Sequence, residues 1–329
     1  MTACIFLRVL RRVAAVFALG LMPWVAAAQD GFPNRPLRLV VPFPPGGLTD
    51  VLGRAMAERL GTALGQTVVV ENRPGAGTLL GAELVAKAPA DGYSLLLSTS
   101  TTFGIAPALY KNAAIDPVRD FQPVSLIGAV NFFLVGSPTL PAKSLDDMVR
   151  LVKASPGKYN YASVGNGTAH HLFMEDLKQR LGLEIQHIPY KGTPAAMLDV
   201  IPGKVHFMFS DAAVAVPLIQ SGKVIAYATS AAKQNSLIAT VPPVAQTVSG
   251  FDWQAWQGIS VASATPPAIV NRLWTEMQKF QAGAEFREFL AKIGMEPAAP
   301  TTPAAFAAMV KDQLPQWAGA VRAAGAKID

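Results

Sequence analysis

The 329-residue chain has one cysteine, Cys4, and it falls in a stretch that reads as a removable leader. Arg8, Arg11 and Arg12 precede the apolar run from Val13 to Val25, and Ala26-Ala27-Ala28 closes it with an A-x-A cleavage pattern. That predicts a signal peptide over residues 1–28 and a mature start at Gln29. The run is short for a bilayer span, and the rest of a twin-arginine export pattern is missing. Loss of Cys4 excludes a disulfide, a thiol nucleophile and a lipid anchor from the mature chain. Charge is also sparse, at 15% of residues with a formal net of +6. The leader carries three arginines and no acid, which leaves +3 for the mature chain. Its basic residues are scattered, so no nucleic-acid partner is expected. Beyond the leader no apolar run is long enough to cross a membrane.

Several chemical motifs are missing too. Gly46-Gly47-Leu48-Thr49 lacks the lysine of a P-loop, which disfavours nucleotide phosphate. Gly75-Ala76-Gly77-Thr78-Leu79-Leu80-Gly81 is one residue too long for a dinucleotide fingerprint. No G-x-S-x-G elbow occurs, and a triad of Ser163, His171 and Asp211 is not called for by any spacing. The four histidines include the adjacent pair His170-His171, which point in different directions on a helix, and no H-E-x-x-H occurs. Neither a metal nor a cofactor is expected.

What is present is a chain of strand–loop–helix units. Leu37 to Val41 is a β-branched apolar run; Pro42-Phe43-Pro44-Pro45-Gly46-Gly47 interrupts it, and Leu48-Thr49-Asp50 opens a helix carrying Leu52, Ala55, Met56, Leu60 and Leu64 at helical spacing. The free N–H groups of such a helix start bind anions without a cationic side chain; the alternative is that the glycines only make the turn. Strands are expected at 67–70 and 93–97, with a helix from Leu79 to Lys87 between them. Three successive units predict a parallel sheet with helices on its faces, whose ligand edge gathers the loops 43–49, 72–78 and 98–103. Ser98 and Thr99 are therefore candidate contacts.

From Phe121 the texture changes. Val124 to Val135 reads as one long strand leaving a first domain for a second, and Trp253 to Ala262 as the return. Between them a helix opens at Ser144 in capping-box style, followed by a strand at 159–163 and a helix at 169–181. Further strands are expected at 184–189, 204–209 and 224–229, with helices at 193–201 and 212–221. The helical stretches 268–281, 284–293 and 303–324 have no strands of their own and should pack on the first domain. The predicted architecture is α/β: lobe one from 29–127 plus 254–329, lobe two from 128–253, and two parallel-rich sheets joined by two crossing strands. In lobe two, Ser163, Gly165, Gly167 and Thr168 form a second glycine loop at a helix start. His171 follows on the first helical turn, either touching ligand or holding the loop. Lys191 is a ligand cation or a solvated lysine, and Asp211 stands between a strand and a helix as a further candidate.

Taken together, Val41 to Asp50, Glu71-Asn72-Arg73-Pro74-Gly75-Ala76-Gly77, Ser163 to Leu172 and Pro189-Tyr190-Lys191-Gly192 resemble the ordered motifs of the tripartite tricarboxylate transporter substrate-binding proteins, the Bug-type periplasmic receptors. The resemblance implies a two-lobed type II periplasmic-binding-protein fold, monomeric and non-enzymatic. It would close by a hinge on a small carboxylate and deliver it to a membrane permease. It also implies that the ligand carboxylate is held by backbone amides and water from Phe43, Pro45, Gly46, Gly47, Thr49 and Asp50, and from Ser163 to Thr168. Some members of the family act as sensors. A periplasmic hydrolase is the alternative from another class, and it lacks a positioned nucleophile and base. The chain departs from the family pattern at Pro45, at Thr78-Leu79-Leu80 and at Pro202-Gly203-Lys204, which bears on which carboxylate is bound.

Overall fold

In the computed structural model, which describes residues 31–325, two β-sheets carry helices on their faces. The expected leader and its cleavage position lie outside the described residues. The first elements are β1 (Leu37–Val41), α1 (Leu48–Leu64), β2 (Val68–Asn72), α2 (Leu79–Ala86) and β3 (Ser94–Thr99). A π-helical turn, Thr101–Ile105, runs into α3 (Ala106–Leu109) and then β4 (Phe121–Val130). The middle of the chain forms β5 (Phe132–Gly136), α4 (Leu145–Lys153), β6 (Tyr159–Ser163), α5 (Ala169–Leu181), β7 (Ile185–Pro189) and α6 (Thr193–Val200). It continues through β8 (Phe207–Asp211), α7 (Ala212–Gln220) and β9 (Ile225–Thr229). The last part is β10 (Ala255–Ala262), α8 (Pro267–Gln281), α9 (Ala284–Lys292), β11 (Met295–Pro297) and α10 (Pro303–Ala323).

The first sheet has the order β11-β4-β10-β3-β1-β2, and the second β7-β6-β8-β5-β9. We call the halves built on them lobe one and lobe two. Both sheets are mixed. The expected parallel units are present, with β1 parallel to β2 and β3, and β6 parallel to β7 and β8. The strands beside the crossings run antiparallel: β10 to β3 and β4, β5 to β8 and β9. A strand arriving from the other lobe has no preceding helical crossover, so nothing forces it parallel.

The single crossing strand expected over Val124–Val135 is instead two strands, one in each sheet, separated by Asn131. Its N–H donates to Gly294 O at 3.2 Å, and its own carbonyl accepts from Ala212 N–H at 3.0 Å. One residue is thereby tied to both lobes at the point where the chain passes between them. The return also differs: Trp253 N–H still donates to Ser230 O at 2.9 Å in lobe two, and the strand begins only at Ala255, in the first sheet. The C-terminal helices, expected without a strand, enclose β11, which pairs antiparallel with β4. Three residues including Pro297 are too short a run for a periodic signal.

Local chemistry explains the boundaries. The Ser144 side chain caps α4 by accepting from Asp147 N–H at 3.1 Å, and Thr302 caps α10 in the same way from Ala305 N–H at 3.2 Å. Gly65 ends α1 in the left-handed conformation, φ 68°. Lobe one buries Val40, Leu96, Phe103, Phe121, Trp256 and Phe306 together; lobe two buries Phe133, Val135, Ala162, Met208 and Val224.

Candidate functional site

A cavity of about 50 Å³ lies between the lobes. The carboxyl ends of β1 and β3 and the start of β10 bring lobe-one residues to it. These include Phe43, Gly47, Leu48, Thr49, Thr99, Ser100, Thr101, Trp256 and Gln257. Lobe two answers with Phe132, Val164, Ala169, His170, Gly192, Thr193 and Asp211. No lysine or arginine lines it.

Three helices of eight residues or more begin at this cavity: α1 at Leu48, α5 at Ala169 and α6 at Thr193. The main-chain N–H groups of Leu48, Thr49, His170 and Thr193 have no acceptor among the described residues. Each helix start carries roughly half a positive charge, so the cavity attracts anions through the backbone alone. Thr49 Oγ1 accepts from Gln257 Nε2 at 3.1 Å, which leaves its own proton free to donate.

Asp50, a candidate ligand contact from the sequence, is not in the lining. Its buried carboxylate accepts from Gly46 N–H at 3.0 Å, from Arg54 Nε and Nη2 at 3.1 and 3.0 Å, and from Asn72 Nδ2 at 2.9 Å. Burial raises its pKa, but the bonds from Arg54, Gly46 and Asn72 outweigh that and leave it below the usual carboxylate value. Asn72 Nδ2 also donates to Phe43 O at 3.0 Å. Asp50 is therefore the knot that shapes the loop around Pro45 and Gly46, neither of which lines the cavity. Ser98 is likewise spent inside the sheet, donating to Gly258 O at 3.1 Å and pairing with Ser260 Oγ at 2.9 Å.

In lobe two the structure distinguishes the adjacent histidines. His170 lines the cavity, packed edge-on to Phe132 at 5.0 Å. His171 lies beneath the glycine loop, where its Nδ1 accepts from Gly167 N–H at 3.3 Å and its ring stacks on His187 at 4.3 Å. Burial lowers the pKa of both rings, His187 to about 3, so both are neutral near pH 7. Ser163 Oγ meets His187 Nε2 at 2.6 Å and holds the turn through Gly165 N–H at 3.0 Å. Ser163 lines neither this cavity nor the outer one around Lys191.

Gly165, Thr168 and Lys191 line a second, outer cavity, together with Gly77, Tyr110 and Asn166. Phe43, Pro44 and Val164 belong to both cavities and separate them. The lobes also touch where Tyr110 OH donates to Asn166 O at 3.5 Å, and where Ala169 N–H donates to Thr101 Oγ1 at 3.2 Å. The sequence reading missed Gln257, His170 and Thr193, and placed Ser100 and Thr101 only within the 98–103 loop of the ligand edge. For Gln257 a signal existed, a lone amide in the uniformly buried strand β10. A register shift after it, between Gln257 and Gly258, is the kind of bulge that re-aims a side chain.

Solved structures share this fold. An adipate-bound protein of R. palustris superposes with a TM-score of 0.86 at 31% identity, covering 90% of this chain and all of that one. The periplasmic binding protein BugD gives 0.85 at 36% identity, covering 90% and 99%. MatC from Rhodopseudomonas palustris with bound malate gives 0.83 at 30% identity, covering 88% and 100%. The family model described as the tripartite tricarboxylate transporter family receptor matches residues 52–325, and the chain belongs to that family of periplasmic solute-binding receptors.

Proposed function

We propose that this protein captures a small carboxylate between its lobes and presents it to the membrane permease of a tripartite tricarboxylate-type transporter. It would act as a monomer in the periplasm after removal of residues 1–28. The observation that carries the reading is the meeting of three helix starts, with unbonded N–H groups and no lysine or arginine, at one cavity. The solved relatives with adipate and malate support it. Closure would exclude water, which strengthens the attraction between the helix starts and the ligand carboxylate. The two chain passages, at Asn131 and after Trp253, are where bending would be absorbed.

Calorimetric titration with mono-, di- and tricarboxylates tests this. One of them should bind at micromolar or tighter affinity, about 8 kcal/mol, and Lys191→Ala should keep that affinity within about threefold, because Lys191 stands in the outer cavity. Binding of a sugar or a cation with no response to any carboxylate would overturn the reading. A large loss in Lys191→Ala would show that a side-chain cation, not the helix starts, holds the ligand.

A further inference from the structure

The cavity contains more unpaired polar atoms than a carboxylate can satisfy. Asp211 Oδ1, Gln257 Oε1 and both ring nitrogens of His170 are buried without a hydrogen-bond partner. The three residues are 4%, 4% and 7% exposed, and all line the cavity. They come from both lobes: Gln257 from β10, Asp211 from the end of β8, His170 from α5.

Asp211 sits at the N-cap of α7, where an aspartate ordinarily bonds the first-turn N–H groups. Here its side chain makes no such cap. Instead Oδ2 accepts from Thr193 Oγ1 at 2.8 Å, with His170 Nε2 at 3.7 Å, beyond hydrogen-bonding range. Oδ1 is left open. Gln257 is placed in the same way, its amide nitrogen committed to Thr49 Oγ1 at 3.1 Å and its oxygen unpaired. Both open atoms are acceptors. An ionised carboxylate has only acceptors to offer, so it matches neither.

We propose that the ligand is a carboxylate that also bears a hydrogen-bond donor, a hydroxyl or an ammonium group, seated against Asp211 Oδ1 and Gln257 Oε1. This rests on the receptor reading above and narrows it. The helix starts hold the carboxylate, and the acceptor pair selects for the substituent. A ligand without a donor leaves buried acceptors unmatched, which is how a polar site discriminates against an analogue of nearly the same shape.

Calorimetry on the purified protein with matched acids tests it: propionate, lactate and alanine; succinate, malate and aspartate; glutarate, 2-hydroxyglutarate and glutamate. Within the set that binds, a substituted acid should bind at least tenfold more tightly than its unsubstituted parent, and the hydroxy and amino members identify which donor is used. Asp211→Asn replaces one acceptor oxygen with a donating amide, so it should shrink that ratio at least threefold while the parent acid gains. A parent acid binding as tightly as its substituted partners in the unaltered protein would overturn the inference and leave the receptor reading standing. Silence from all nine acids, with a sugar or cation binding instead, would overturn both.

Discussion

Replacing Asp50 with alanine separates a residue that shapes the binding loop from one that touches the ligand. Its carboxylate receives four donated bonds, from Gly46 N–H, Arg54 Nε, Arg54 Nη2 and Asn72 Nδ2. The Arg54 side chain is 57% exposed and rehydrates on truncation, so its pair contributes little. Gly46 N–H loses its acceptor and Asn72 Nδ2 keeps only Phe43 O, at a cost of about 1–2 kcal/mol each, or about 2–4 kcal/mol together. At roughly 2–4 °C per kcal/mol, melting should fall by about 4–16 °C. Affinity should fall tenfold or more, because the amides of Leu48 and Thr49 are aimed by the same loop. Asp50→Asn, which keeps one acceptor oxygen, should show about half the melting shift. Acid acts later. The folded pKa lies below the ordinary value, so the contribution is complete above about pH 3.8 and disappears as pH falls through the lower folded value. The assay is a thermal melt without ligand, paired with calorimetry. Melting within about 2 °C of the unaltered protein, with affinity collapsed, would mean that Asp50 touches the ligand and would refute the scaffold argument.

Two further outcomes follow from the lobe contacts and the histidine stack. Gly77→Val should weaken ligand binding tenfold or more and shift the X-ray scattering profile toward a more open form. A Cβ there would stand 2.8 Å from the Tyr110 ring and 3.0 Å from Asn166 O across the lobe boundary, at a backbone φ of 60° that disfavours side chains. The His171–His187 stack should make the protein acid-labile. Both pKa values are depressed, so the unfolded chain binds protons first and stability falls as pH drops from about 6.5 toward 3. His187→Gln should remove up to about 1.4 kcal/mol per pH unit from that slope, read from denaturant melts between pH 7 and 4.

The units built from local signals were legible. Tyr159–Ser163 and Ala169–Leu181 match the expected bounds, because a glycine loop and Gly182 punctuate them clearly. What failed to show depended on contacts between distant segments. The run from Val124 to Val135 carries only Gly128 and Asn131 as weak punctuation, and the opposed bonds of Asn131 to Gly294 and Ala212 divide it between two sheets. Of two adjacent histidines, roughly 100° apart on one helix, sequence supplied no reason to prefer His170. Asp50 carries the right chemistry for a binding residue and spends it on the loop. Asp211, a candidate contact from the sequence, lines the cavity but does not cap the helix it precedes.

These two aspartates show how attraction and selection are divided. Charge is drawn in by backbone that any apolar strand–loop–helix sequence of this type presents, so the anion-holding part constrains side chains only weakly. Leu48 donates through its main chain, and Thr49 adds one hydroxyl. A lysine or arginine in the lining would add attraction but would also pair with the open Asp211 oxygen. The lack of a cation in the lining and the unpaired Asp211 oxygen therefore belong to one design. A backbone that holds the carboxylate leaves the open Asp211 oxygen free to select the ligand's other end.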